Sequence, residues 1–230
     1  MNAISVTGLI KNYGKFRAVD QLDLELAPGQ IVGLMGENGC GKTTLLKVLA
    51  GALSEYEGEA LIHGHAPGPE SKAIVSFLPD ASFLPDSASI VSCIGMYADF
   101  FTDFSREHAC DLIGFLGLDQ KRKLSTLSKG MREKAQIALA MSRQAKVYLL
   151  DEPISGVDPA AREILLQSIV RDLSPEALVV VSTHLIHDLE PILDAVAFMR
   201  YGRIQLTGQV DDLRAERGLS IDALFREVYR

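Results

Sequence analysis

Three cysteines in 230 residues, Cys40, Cys93 and Cys110, are too few and too unevenly placed for a disulfide framework or a zinc site. They fit a reducing compartment, with Cys93 and Cys110 as small core residues. Basic clusters are scarce as well: 23 Lys and Arg stand against 30 Asp and Glu, a formal net charge of −7. The triplet Lys121, Arg122 and Lys123 reads as a solvated loop, so the electrostatic footprint of a nucleic-acid binder is missing and no nucleic acid is expected as a partner. No apolar run approaches the roughly 18 residues of a membrane span; ALVVV at 177–181 and VYLL at 147–150 have strand length. The opening MNAISVTGLIKNYG has no charged segment leading into an apolar one, so no signal peptide is expected and the product should stay inside the cell. No Pro/Gly/Ser linker or low-complexity tract divides the chain, which predicts a single domain over 1–230. With 47% hydrophobic and 23% charged side chains, that domain can bury a large core.

Periodicity places the elements. ISVTGLIKNYG and VDQLDLELA read as a small antiparallel β region, the second segment alternating through Leu22, Leu24 and Leu26 and closing at Pro28-Gly29. IVGLM (31–35) is a buried strand, followed by a glycine-rich turn and a helix with Leu45, Leu46, Leu49 and Leu53 at helical spacing. Strands are expected at 59–64 and 73–78. From about 88 to 143 the segments turn helical, which predicts an inserted α-helical subdomain. KVYLLDEP, EALVVVSTH and DAVAFM then supply strands alternating with helices at 160–173 and 186–193, the pattern of a mostly parallel sheet in an α/β fold covered on both faces. A last strand and two short helices end the chain.

Residues 36–44, GENGCGKTT, match G-x-x-x-x-G-K-[ST] between a strand and a helix, where a phosphate loop must lie. Gly36, Gly39 and Gly41 let the backbone turn its N–H groups inward, and the helix behind presents its positive end. Lys42 is placed to reach the β- and γ-phosphates, and Thr43 offers a hydroxyl to Mg²⁺. A glycine-rich turn with a chance lysine is the plain alternative. VYLLDEP ends an apolar strand in two carboxylates, which a buried strand tolerates where its end opens on a polar site. Asp151 is read as a magnesium ligand and Glu152 as the base that polarises water; a solvated strand end is the alternative.

LSKGM at 127–131 resembles the LSGGQ signature. Together with GENGCGKTT, VYLLDEP, ISGVD at 154–158 and STH at 182–184, it makes the chain resemble the nucleotide-binding subunit of ABC transporters over essentially its whole length. The resemblance implies a P-loop NTPase core that binds ATP and Mg²⁺ and hydrolyses ATP. It places Tyr13 on adenine, with packing in a turn as the alternative, and gives residues 36–44 (Gly36, Glu37, Asn38, Gly39, Cys40, Gly41, Lys42, Thr43, Thr44) to the phosphates. It implies that Ser128 and Gly130 contact the γ-phosphate held by a second ATP-binding subunit, that Asp158 crosses that interface, and that His184 senses the γ-phosphate and orients water. His63, His65, His108 and His187 show no metal-ligand spacing and receive no role.

The pattern departs from the family at three places. Asp80, in the first of two FLPD repeats, stands where the family has glutamine, so it is a candidate magnesium ligand, direct or through water; Asp86 in the second repeat is the weaker candidate. Lys129 replaces a glycine and Met131 a glutamine of the signature. An acid at 80 and the short tail SIDALFREVYR resemble the bacterial exporter-type branch. With no membrane segment of its own, the chain is expected to be cytoplasmic, peripheral at the inner face of the membrane, and docked on a separate transmembrane permease near Asp80. A soluble regulatory ATPase of the same family is the competing reading; a phosphate-loop kinase is disfavoured by LSKGM preceding VYLLDEP. Cys40, inside the phosphate loop, suggests that thiol alkylation would impair ATP binding.

Overall fold

The computed structural model describes residues 2–171 and 173–229. In chain order the elements begin with β1 (Ile4–Tyr13), β2 (Phe16–Leu26), β3 (Ile31–Met35), α1 (Lys42–Leu49), β4 (Glu57–Ile62), α2 (Pro69–Ile74) and β5 (Val75–Leu78). Three helices follow, α3 (Ile90–Phe100), α4 (Arg106–Phe115) and α5 (Lys129–Met141). The remainder is β6 (Val147–Asp151), α6 (Pro159–Val170), β7 (Leu178–Thr183), α7 (Ile186–Leu189), β8 (Ala195–Arg200), β9 (Arg203–Gln209), α8 (Val210–Arg217) and α9 (Ile221–Val228).

A three-stranded antiparallel sheet, ordered β2-β1-β4, packs beside a six-stranded sheet ordered β5-β6-β7-β3-β8-β9. The larger sheet is parallel from β5 to β8, and only β9 runs antiparallel at its edge. Its central strands are apolar throughout because both faces are covered. Alternation divides the core in two. Val32, Leu34, Val147, Leu149 and Val180 face α1 and the antiparallel sheet. Met35, Tyr148, Leu150, Val179 and Val181 face the helices of the second half of the chain, including Ile90, Ile94, Leu112 and Ile137 of the 88–143 segment. One face therefore carries mainly a β layer where helices on both faces were expected.

The boundaries correct the sequence expectations locally. β2 starts three residues early, at Phe16. Ala73 and Ile74 close a helix instead of opening a strand: Pro69 stands in its first turn, and Ser71 exchanges hydrogen bonds with the N–H and carbonyl of Gly68. The helix expected over 186–193 stops at Leu189 and tightens into a 3-10 turn through Pro191, which has no N–H to continue the ladder. Cys93 is fully buried and Cys110 half-buried, its thiol near Gln120. The loop triplet is not wholly solvated, because Arg122 is half-buried and donates to the carbonyl of Thr126. Asp86 pairs with Arg132 at 2.7 Å.

The helical segment is fastened to the sheet by Arg143, which is 4% exposed. Its guanidinium pairs with Asp103 between α3 and α4, and it donates to the carbonyls of Ala73 near the end of α2 and Val75 at the start of β5. A buried charge is tolerable here because a carboxylate and several carbonyls share it.

Candidate active site

Parallel registry brings the chemistry to one edge of the sheet. Met35 pairs with Thr183 across β3 and β7, and Asp151 with Ser182 across β6 and β7, so all three strands end at the same level. The turn after β3, the acids ending β6 and the histidine after β7 therefore meet at the carboxyl ends of the strands, the usual ligand edge of an open parallel sheet. Gly41 caps α1 in the left-handed region at φ +111°, and a Cβ there would lie 2.3 Å from the carbonyl oxygen of Ala18. Only glycine fits that position.

A groove of ≈ 260 Å³ lies over the α1 terminus, lined by Tyr13, Phe16, Ala18, the loop from Asn38 to Thr44 excepting Cys40, Asp80 and Glu152. Lys42, 5% exposed, donates through Nζ to the carbonyls of Gly36 (2.7 Å) and Glu37 (3.3 Å) and stands 3.8 Å from Glu152. Asp151 Oδ1 accepts from Ser182 Oγ at 2.6 Å and from Thr43 Oγ1 at 3.1 Å. Ser182 Oγ also accepts from the N–H of Glu152 at 3.0 Å. Glu152 Oε2 lies 2.9 Å from His184 Nδ1. Its backbone is held at φ +49°, a left-handed conformation that costs a non-glycine residue about 1–3 kcal/mol and tends to persist where function holds it.

Asp151 is 1% exposed, yet its Oδ2 is buried with no hydrogen-bond partner among the described residues. Buried polar atoms are nearly always satisfied, and an orphaned carboxylate oxygen beside a threonine hydroxyl suits a hard divalent cation. Among the described residues no group of three or more His, Cys, Asp or Glu is gathered for a metal. The donors present fit an ion completed by phosphate oxygens and water, as Mg²⁺ is commonly held.

The structure brings Tyr13, Lys42, Thr43, Asp80, Asp151, Glu152 and His184 to one edge. Cys40 points the other way: its side chain is 7% exposed in the core behind the loop, and burial pushes its thiol pKa up despite Lys42. Alkylation sensitivity of the groove is thus not expected from this thiol. Glu37 is exposed on the outer side of the loop, away from the groove lining. Ser128, Gly130 and Asp158 do not line the groove either; Ser128 caps α5 at Met131 N–H and Asp158 caps α6 at Ala161 N–H. Two contributors went unread in the sequence. Phe16 pairs with Tyr13 across the hairpin and is 60% exposed in the groove, signalled only by an aromatic on the facing strand. Ser182 joins the two acids, and its signal was membership in STH.

A family model described as ABC transporter matches residues 19–155, more than half of the chain. The chain belongs to the ABC transporter family. Its relatives include the daunorubicin resistance ATP-binding protein DrrA3 of Streptomyces coeruleorubidus, 30% identical over 234 residues that cover 98% of this chain and 74% of that protein. The Nod factor export ATP-binding protein I of Cupriavidus metallidurans is 29% identical over 211 residues, 88% of this chain and 70% of that protein. A solved ATP-binding subunit of an ABC transporter superposes with a TM-score of 0.89 at 25% identity, covering 99% of this chain and all of that one. The fold is accordingly the mixed α/β P-loop NTPase fold of ABC ATPase domains, and this ABC ATP-binding subunit is an ATPase. No helix among the described residues is long and apolar enough to cross a membrane.

Proposed function

We propose that this ABC ATPase subunit hydrolyses Mg-ATP between two chains and so drives a separate membrane permease, in the export direction. The observation that carries the reading is the connected set Lys42–Glu152–His184 beside the orphaned oxygen of Asp151. Lys42 and the N–H groups of residues 36–44 bind the phosphates, and Tyr13 or Phe16 stacks on the base. Thr43 and Asp151 would hold Mg²⁺, with Asp80 able to reach it directly or through water, and the ion would supply positive charge to offset that on the phosphates. Glu152 takes a proton from the attacking water, and His184, bonded to it, orients that water at the γ-phosphate. Lys42 stabilises charge developing on the phosphoryl oxygens.

Ser128 and Gly130 at the start of α5, with Asp158 at the start of α6, complete the nucleotide site of a second copy or paralogue. ATP then favours the closed pair, and hydrolysis reopens it; that difference in affinity is what can move an attached permease between states. Residues 1–230 act as one ABC-type ATPase domain with the 88–143 segment as its inserted helical subdomain. Phe83, Val91, Met96 and Phe100 are exposed apolar side chains in the stretch following Asp80, a surface suited to a permease at the inner face of the membrane. The names of the daunorubicin resistance and Nod factor export relatives favour export.

The test is the ATPase rate against protein concentration, with Glu152→Gln as control. A rate rising faster than linearly, lost in Glu152→Gln while ATP binding persists, supports the two-chain site. A linear rate from the chain alone, with Glu152→Gln as active as the parent when the candidate permease is present, overturns it.

A further inference from the structure

Away from the groove, the first turn of α5 meets the Ser155–Asp158 loop at one acidic side chain. Glu133 is 18% exposed in its side chain, and its Oε2 is buried with no hydrogen-bond partner among the described residues. Its carboxylate lies against the Gly156 backbone, and Lys129 Nζ stands 3.7 Å from Oε1. The contact is tight enough that a Cβ on Gly156 would fall 2.1 Å from Glu133 Oε1 and 2.6 Å from Lys129 Cε. A Cβ on Gly130 would meet the Gly156 carbonyl at 3.6 Å, so the two backbones run side by side. On the other side of the loop, Arg162 donates to the Val157 carbonyl at 3.0 Å and pairs with Asp188 of α7 at 2.6 Å. Burial pushes the Glu133 carboxyl up, opposed by Lys129 and the Gly156 N–H, and nearby Asp80 adds to the upward push. A half-satisfied acid at such a junction is costly, and nothing in the cis groove uses it.

We propose that Glu133 is a positioning residue that clamps the Ser155–Asp158 loop to the first turn of α5, so that Ser128, Gly130 and Asp158 meet a second chain as one preformed surface. Lys129, a departure from the family's glycine, is the counter-ion that keeps the clamp charged and aimed. The inference rests on the two-chain reading above.

The test uses the full chain carrying Glu152→Gln, with and without Glu133→Ala, Glu133→Gln or Gly156→Ala, and two readouts: ATP-dependent dimerisation by sedimentation, and amide exchange of residues 155–158 in the nucleotide-free monomer. Losing the charged contact between helix and loop predicts that Glu133→Ala raises the protein concentration for half-dimerisation by about tenfold or more. ATP binding to the monomer should change by less than about twofold, since the site is separate. Glu133→Gln, which keeps an acceptor for Gly156, should restore most of the dimerisation, and Gly156→Ala should reproduce the loss from the other side. Exchange at 156–158 should quicken about tenfold in Glu133→Ala. Unchanged exchange overturns the clamp whatever the dimerisation shows. If the Glu152→Gln parent itself stays monomeric in ATP, the two-chain reading falls while the exchange result still decides whether Glu133 holds the loop.

Discussion

At the strand ends beside the groove, Thr43, Asp151, Ser182, Glu152 and His184 are bonded to one another, whereas among the described residues Ser128 and Asp158 bond the first turns of their own helices. The groove is preorganised: its polar groups sit at the ends of buried strands, where movement would break sheet registry. On the α5–α6 side the caps Ser128 and Asp158 are satisfied within their own helices, as suits groups that meet their ligand only when another chain arrives. The two halves of the site should therefore respond differently to the same kind of substitution.

The sharpest separation comes from chemistry against binding. Glu152→Gln should lower kcat by about 10²–10⁴-fold, the usual share of a general base, while ATP affinity holds; equal losses in both would place Glu152 in binding and not at the water. Next, Lys42→Ala should weaken ATP binding to the single chain by about 10–100-fold, the value of charge-assisted hydrogen bonds to phosphate. Fluorescent-nucleotide titration measures this, and a wild-type affinity would dismiss the lysine. On the other half, Ser128→Ala and Asp158→Ala should leave that titration unchanged, cost about 1 kcal/mol of unfolding free energy as lost caps, and reduce ATPase only where two chains meet. If either weakens binding to the monomer, the contrast between the halves is wrong. Replacing Tyr13 and Phe16 singly by alanine should cost about 0.5–1.5 kcal/mol of ATP affinity at whichever ring stacks on the base, and nothing at the other.

The smallest effect tests how the C-terminal helices are tied to the turn after α7. Glu190, in the turn after α7, would be pushed up by desolvation, but hydrogen bonds from Arg214 and the N–H groups of Ile221 and Asp222 outweigh it and hold its pKa below the ordinary carboxylate value. A depressed folded-state pKa stabilises above the unfolded value of about 4.3 and the contribution fades as pH falls through the folded one. Glu190→Gln should flatten the acid limb of thermal stability. An unaltered limb would mean these bonds carry no net stability.

The phosphate loop, the acid-ended strand and STH were readable because each is a contiguous segment whose local geometry its own residues impose: Gly41 permits the turn, and VYLL must be buried. Strand existence was readable for the same reason, while Ala73 and Ile74 were misjudged because apolar character alone does not separate a helix end from a strand start. The roles of Phe16 and Glu133, and the bond by which Ser182 joins the two acids, were not readable, since each acts through a partner distant in sequence or on a neighbouring strand. Cys40 shows the same limit, lying within the motif while its side chain belongs to the core.

By itself, then, the order of apolar runs, glycines and acids determined an α/β phosphate-loop fold, because periodicity and turn chemistry are local, and LSKGM with the other motifs carried the resemblance to the ABC family. Only the tertiary structure decided which oxygen of Asp151 lacks a partner, which aromatics share the groove and what ties α5 to the Ser155–Asp158 loop. Those depend on strand registry and packing between segments, where free energies are set by distances that no single stretch of sequence contains.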